Sequence, residues 1–190
     1  VVRIFFRSGN VALRVATNTD DGDLLLITND TDGSMAVFSI LRSQNVVAPS
    51  EFITTGKFLD VAVDITDIYV ATERTINSAT KRYIELFDDQ RTTDANIQYF
   101  SGATSPDQSL PGNTTCSNLS HLEGATVDVV RDNFVLTDKT VSSGAITIDQ
   151  APSSFVEVGL SYSVEVKTLP AEPKLSSGCL LYTSDAADDM

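Results

Sequence analysis

Short apolar runs separated by turn-forming residues limit this chain to β structure, because none of the runs is long enough for a helix. In the stretch 116–169 they occupy residues 126–130, 134–136, 145–148, 155–158 and 162–166. The residues between them include Asp132-Asn133, Ser143-Gly144, Ala151-Pro152 and Gly159. Runs rich in Val, Ile and Thr with turn formers at this spacing are typical of antiparallel strands. This stretch is therefore predicted to form a small β-barrel or sandwich.

Residues 1–100 show the same pattern and are predicted to form an antiparallel meander. Strands are predicted at residues 1–6, 11–16, 24–28, 35–41, 52–54, 58–63, 68–73 and 80–86. Ser8-Gly9-Asn10 and Asp32-Gly33 are hairpin signals. The stretch 42–50 is predicted to be a loop, because Pro49 lacks the backbone N–H that a central strand needs. The last four strands recur about every ten residues, which is typical of a propeller blade or a sandwich sheet.

The composition changes between the two halves of the chain. Residues 88–96 are charged, and residues 101–115 are rich in Ser, Gly, Pro, Thr and Asn, which is typical of linkers. The predicted fold class is therefore all-β, with a meander followed by a small barrel. The predicted divisions are a β-sheet region at 1–100, a linker at 101–115, a barrel module at 116–169 and an exit linker at 170–178.

The runs on either side of the predicted turn at 77–78 alternate between polar and apolar side chains. Successive residues of a strand point to opposite faces, so the alternation predicts which side chains meet across the turn. Glu73 or Arg74 then lies opposite Lys81 or Arg82, which predicts a cross-strand ion pair.

The chain is strongly acidic, with a formal net charge of −13. Binding to a phosphate backbone requires clustered Lys and Arg side chains that release counterions. We therefore expect no nucleic-acid binding, whereas an acidic wall would let DNA pass without holding it. No apolar run approaches the roughly 20 residues that a bilayer crossing requires, so no membrane span is expected.

Both ends of the sequence carry unusual signals. The chain opens on VVRIFFRSGNVALRV, which resembles the middle of a strand-rich protein and contains no signal peptide, so we expect the N-terminus to be a cut end. Residues 179–189, CLLYTSDAADD, resemble a translated sequencing adapter. Without residues 179–190 the chain loses three Asp and no Lys or Arg, which leaves a net charge of −10. Cys116 is then the only cysteine, and no disulfide is expected.

Two phrases of the sequence resemble a known family. SHLEGATVDV at 120–129, followed by SSGAITI and VEVGLSY, resembles the small β-barrel module of tail nozzle or tail tubular proteins of short-tailed bacteriophages. In that family a G-L-x-H-L-E-G-x-T-V phrase opens the barrel, and Asn118-Leu119-Ser120 stands here in place of its Gly. DIYVATERTINSATKRYIEL at 67–86 resembles the preceding phrase of the same proteins. The resemblance covers residues 24–178.

The resemblance implies a virion structural protein and not an enzyme. It implies a homo-oligomeric ring at the end of a short tail, where the protein forms part of the DNA exit channel and a platform for the adaptor, the fibres and other tail proteins. It also implies synthesis in the host cytoplasm and assembly into the virion. No catalytic, cofactor-binding or metal-binding residue carries over from the family.

The D-x-D-G loop at 30–33 offers oxygen ligands that could hold Ca2+. An EF-hand loop would need an acidic residue two positions before Asp30 and a Glu six positions after Gly33, where this chain has Thr28 and Ser39. A hairpin turn therefore explains the motif better.

His121 is the only histidine, so a site with several histidine ligands cannot form. A catalytic triad with Ser120 and Asp128 is disfavoured, because adjacent residues of an extended chain point to opposite faces and the chain has no nucleophile elbow. A structural role for His121 is the better interpretation.

Glu85, Asp88 and Asp89 could provide the paired carboxylates of a glycoside hydrolase. Their position at the end of a predicted strand favours a solvated turn instead. Two alternative functions nevertheless stay open: a polysaccharide-degrading tail enzyme, and a carbohydrate-binding or adhesion β-module, which would also be acidic and rich in strands.

Two remaining patterns have simple explanations. The triplets at 113–115 and 118–120 match the N-glycosylation pattern, which matters only in a secretory pathway. Gly124, Gly144 and Gly159 are predicted to lie at turns or bulges.

Overall fold

The computed structural model describes residues 13–18, 22–29, 31–64, 67–88 and 90–167. Within them the chain is all-β and its sheets are antiparallel except for one short pair, so the predicted fold class is confirmed. The strands are β1 (Leu13–Asn18), β2 (Gly22–Thr28), β3 (Met35–Leu41), β4 (Val46–Phe52), β5 (Lys57–Asp64), β6 (Asp67–Ile76), β7 (Ala79–Phe87), β8 (Asp94–Phe100), β9 (Gln108–Ser109), β10 (Thr115–Cys116), β11 (Thr126–Arg131), β12 (Phe134–Val135), β13 (Lys139–Thr140), β14 (Ile146–Thr147) and β15 (Phe155–Leu160).

Helical structure in this part of the chain is limited to two 3-10 turns, Arg42–Gln44 and Ser120–Leu122. No helix among the described residues has the length and apolarity that a membrane crossing requires. The strand predicted at 1–6, its hairpin turn, the exit linker at 170–178 and the adapter-like stretch 179–190 lie outside the described residues.

The N-terminal unit consists of two antiparallel sheets that share one hydrophobic core. Their strand orders are β1-β2-β3-β4 and β5-β6-β7. Both sheets turn one face inward, and the core residues are Leu26, Met35, Val37, Phe58, Val61, Ile68 and Val70. The strict alternation along β6 explains this arrangement, because every second side chain from Ile68 to Arg74 is buried.

The hairpin between β2 and β3 confirms the predicted turn and holds the two sheets together. The carbonyl of Gly33 accepts a hydrogen bond from the amide of Phe58 at 2.9 Å. A β carbon at Gly33 would lie 2.8 Å from the Cα atom of Lys57. Glycine is therefore needed here both for its positive φ of 80° and for the close approach of β5.

The prediction of a loop at 42–50 is wrong for its second half, which forms a strand. β4 (Val46–Phe52) pairs with β3 along its whole length, and Pro49 lies opposite Phe38. Because β4 is the last strand of its sheet in the described part of the chain, the missing N–H of Pro49 removes no hydrogen bond from a second neighbour.

The C-terminal unit is a sheet of order β12-β11-β15-β8-β9, with β13 also paired to β11 and a separate ribbon of β10 and β14. The sheet, the ribbon and the 3-10 turn at Ser120–Leu122 bury a second core: Ile97, Tyr99, Cys116, Leu119, Leu122, Val127, Val129, Val141, Ile146, Ile148, Val156, Val158 and Leu160. Among the described strands no pairing joins β9 to β12, so the sheet of the predicted barrel does not close into a ring here.

Two sequence predictions in this region need correction. The sequence places β8 (Asp94–Phe100) in the N-terminal region and its charged linker, but β8 pairs with β15 in the C-terminal sheet. The charged residues at 88–96 favour a linker, although Ile97 and Tyr99 of this strand are buried. The strand predicted at 162–166 does not form in the structure, and residues 161–167 are exposed without regular structure.

Gly159 lies where β15 approaches the start of β8. The register of the two strands shifts between Val158 and Leu160, as expected for the predicted bulge. A β carbon at Gly159 would lie 2.7 Å from the carbonyl oxygen of Asp94 and 2.8 Å from the Cβ atom of Asn96. No side chain fits there unless the backbone moves.

We therefore expect Gly159→Ala to lower the free energy of unfolding by about 2 kcal/mol, because added atoms in a packed site force the backbone to shift. Gly112→Ala is the matched control, since a β carbon at Gly112 meets nothing within 4 Å. Urea unfolding measures both variants, and equal free energies of unfolding would contradict the close approach.

Candidate functional site

The residue at the centre of the contact between the two units is Arg74, the last buried side chain of β6. Its exposed fraction is 2%. The guanidinium donates two hydrogen bonds of 2.8 Å to the two carboxylate oxygens of Glu85 on β7. It also donates to Asp94 on β8 at 3.0 and 3.2 Å, to the hydroxyl of Thr54 at 2.7 Å and to the carbonyl of Thr55 at 3.2 Å. Arg74 thus joins the second sheet to the first strand of the C-terminal unit.

Two carboxylates balance the charge of the buried guanidinium of Arg74. Burial opposes the charged form of the guanidinium, but the hydrogen bonds and charges of Glu85 and Asp94 outweigh it and raise the pKa of Arg74. The hydroxyl of Thr54 donates to Asp94 at 2.6 Å, which supplies that carboxylate with a further partner. A bidentate arginine and carboxylate pair fixes both side chains in orientation. The cluster is therefore suited to fixing the angle between the two units.

The cross-strand ion pair predicted at the β6–β7 hairpin is confirmed on the outer face. Glu73 lies opposite Arg82, and the Nε atom of Arg82 is 3.0 Å from the Glu73 carboxylate. Arg74 lies opposite Lys81 in the register, yet its guanidinium turns along the inner face to Glu85. The alternation of β6 could have revealed this, since a charged residue on a buried face needs a buried partner.

The carboxylates proposed from the sequence as a hydrolytic pair have separate partners. Glu85 is bound by Arg74, and Asp88 is bound by Arg91 at 3.0 Å. Asp89 lies outside the described residues. The carboxylates of Glu85 and Asp88 are therefore each held by an arginine of their own.

His121 lies at the same contact between the units. Its Nε2 atom is 2.9 Å from the carbonyl oxygen of Ala95, so this nitrogen carries the proton and donates it. The imidazole also meets the ring of Tyr83 edge to face, with centroids 6.4 Å apart. In the described part of the chain no hydrogen bond joins His121 to Ser120 or Asp128, the other two residues of the triad considered above. Burial lowers the pKa of His121, against the raising effects of Ala95 and Glu85.

The D-x-D-G loop has the hydrogen bonds of a turn. The Asp32 carboxylate accepts the amide of Ser34 at 2.9 Å and its hydroxyl at 2.8 Å, which lowers the pKa of Asp32. The side chain of Asn29 accepts the amide of Thr31 at 3.1 Å. Asp30 lies outside the described residues, and within them no three His, Cys, Asp or Glu side chains are grouped as a metal site requires.

Sequence reasoning missed two carboxylates that organise the C-terminal unit. Glu157 is buried on β15, where one of its oxygens accepts hydrogen bonds from Thr92, Thr93 and Asn96. Asp132 accepts the amides of Ser153, Ser154 and Phe155, and these bonds lower its pKa to about 2. Glu157 is the one charged residue in an otherwise apolar run, FVEVGL, and this pattern could have indicated a buried carboxylate.

The remaining polar candidates are local. Asn113 accepts the amide of Thr115 in its own turn at 2.8 Å, and Asn118 donates to Gln108 of β9 at 2.6 Å, so both asparagines of the glycosylation triplets have hydrogen-bond partners within the protein. Cys116 is a free, buried thiol, and burial raises its pKa to about 11.

No protein-family model matches the chain, and no curated protein matches it either.

We expect Arg74→Ala to lower the free energy of unfolding by about 3–5 kcal/mol, because it leaves Glu85 and Asp94 without their cation. Arg82→Ala is the matched control, since its side chain is 74% exposed and a surface pair contributes about 0–1 kcal/mol. Chemical denaturation monitored by circular dichroism compares the two. Similar losses would show that Arg74 does not hold the units together.

We expect His121 to make the protein less stable in weak acid. The pKa of His121 in the folded protein is lowered from 6.5, so the unfolded chain binds the proton at a higher pH than the folded protein does. The contribution of His121 to the free energy of unfolding is therefore complete above pH 6.5 and falls as the pH drops below that value. His121→Gln keeps a donor for the Ala95 carbonyl but does not titrate. Melting temperatures on either side of 6.5 should therefore fall less in the variant, and equal losses would exclude His121 as the cause.

Proposed function

We propose that this chain is a structural subunit of the tail nozzle of a short-tailed bacteriophage. It forms a homo-oligomeric ring that is part of the DNA exit channel and that presents surfaces to the adaptor, the fibres and other tail proteins. It is made in the host cytoplasm and becomes part of the virion. The proposal includes no catalytic activity.

One observation carries this proposal: the two phrases that resemble the nozzle family contact each other. The first phrase, 67–86, forms β6 and most of β7 and contains Arg74 and Glu85. The second phrase begins with the 3-10 turn that contains His121. Tyr83 of the first phrase packs against His121 of the second. A contact between the two phrases supports an architecture shared with the nozzle family, because side chains that pack against each other restrict which residues can stand at both positions.

The chemistry of the chain also supports a rigid, passive wall. Arg74 joins the two units by binding Glu85 and Asp94, and a channel needs walls that keep their shape. The net charge of −13 disfavours a grip on phosphate and favours free passage of DNA. Of the candidate hydrolytic carboxylates, Glu85 and Asp88 are each engaged by an arginine.

The test uses the complete reading frame that contains residues 24–178, expressed without the adapter-like stretch. Light scattering is expected to give the mass of a closed ring of several subunits, and electron microscopy should show the ring and its channel. Gel shifts with double-stranded DNA should show no binding at physiological salt. A stable monomer, or tight DNA binding, would overturn the proposal and direct attention to binding and hydrolysis of glycans.

A further inference from the structure

Residues 161–167, SYSVEVK, have the pattern of a β-strand without a partner. Tyr162, Val164 and Val166 alternate with polar residues, and the exposed fraction of Val164 is 75%. All seven residues are exposed, and no strand pairs with them in the described part of the chain. Alternation of this kind is typical of a strand that covers an apolar face. We call this segment the tail strand.

β7 is an edge strand of its sheet among the described residues. In the described residues it pairs only with β6. Its outward face carries Ile84 and Leu86, and Ile84 is 80% exposed. Tyr69 of β6 lies opposite Leu86 and extends the same apolar strip. An edge strand with unpaired backbone groups and exposed apolar side chains is a template for adding a further strand.

We propose that the tail strand of one molecule adds to β7 of a second copy of this chain. Aligned antiparallel, the seven residues of the tail strand lie opposite residues 79–85. Tyr162 then faces Ile84, and Glu165 faces Lys81, which is exposed. One register therefore provides both an apolar pair and an ion pair, the two kinds of cross-strand contact that stabilise sheets.

The same register uses the other exposed cation of β7. Val164 lies opposite Arg82, whose aliphatic stem can cover the valine while its charge stays with Glu73. The cationic end of β7 thus receives the part of the tail strand that carries a carboxylate. In an acidic protein this local complementarity favours the contact over a random approach of two copies.

The contact is head to tail, because each copy offers one tail strand and one β7 edge. Such a heterologous interface forms a ring when its rotation closes and a filament when it does not. The inference goes beyond the proposed function, since it identifies the strands that join two copies, and it stands on those strands alone.

The test measures self-association of the 190-residue chain by sedimentation equilibrium. Glu165→Lys and Lys81→Glu are each expected to raise the dissociation constant by about tenfold, because like charges then face each other. The double variant restores opposite charges and should return the constant to that of the unchanged chain. Glu51→Lys on β4 is the matched control for Glu165→Lys, because it makes the same change in net charge at another exposed position.

Each outcome bears on the inference. Loss of association in both single variants and recovery in the double variant support it. A chain that stays monomeric at every concentration overturns it, as does association that neither reversal weakens or that the double variant fails to restore. In these cases the nozzle role keeps its own test, which uses the complete reading frame. Both residues are exposed, so circular dichroism should show that the variants fold.

Discussion

The structure depends on one buried guanidinium, that of Arg74, which binds carboxylates from both units. Glu85 belongs to the same sheet, while Asp94 begins the C-terminal sheet, so the cation connects two sheets that share no strand pairing among the described residues. Removing a charge from water is costly, and a buried pair contributes to stability only when its geometry is good and its remaining hydrogen bonds are made. Here Thr54 and the carbonyl of Thr55 complete the set.

A joint of this kind contributes more to orientation than to total stability. Replacing a whole buried ion network with apolar side chains is often neutral, whereas removing one member leaves an unpaired charge. The guanidinium of Arg74 donates to both oxygens of Glu85 in one geometry, and the imidazole of His121 adds a second contact between the units through the ring of Tyr83. These contacts join two β units that have separate hydrophobic cores. A fixed arrangement of the two units is the property on which the proposed role in a channel wall depends.

Local patterns predicted most of the strands because alternation and turn residues act over a few positions. The alternation of β6 and the Glu73–Arg82 pair followed directly from period two. Errors arose where the partner of a strand mattered. Pro49 is tolerated because β4 lies at an edge of its sheet in the described part of the chain, where residues 161–167 likewise have a strand pattern but no partner. A sequence window contains no information about whether a neighbouring edge is free.

The sequence by itself determined that this protein is all-β, where its turns lie, and which side chains share a face, because these properties depend on backbone sterics and on a period of two residues. Only the tertiary structure decided that β8 joins β15, that Arg74 turns inward to Glu85 and Asp94, and that β7 pairs with β6 alone among the described strands. The physical reason is that these features depend on contacts between segments distant in sequence, where burial of a shared core and satisfaction of buried charges select one pairing among many.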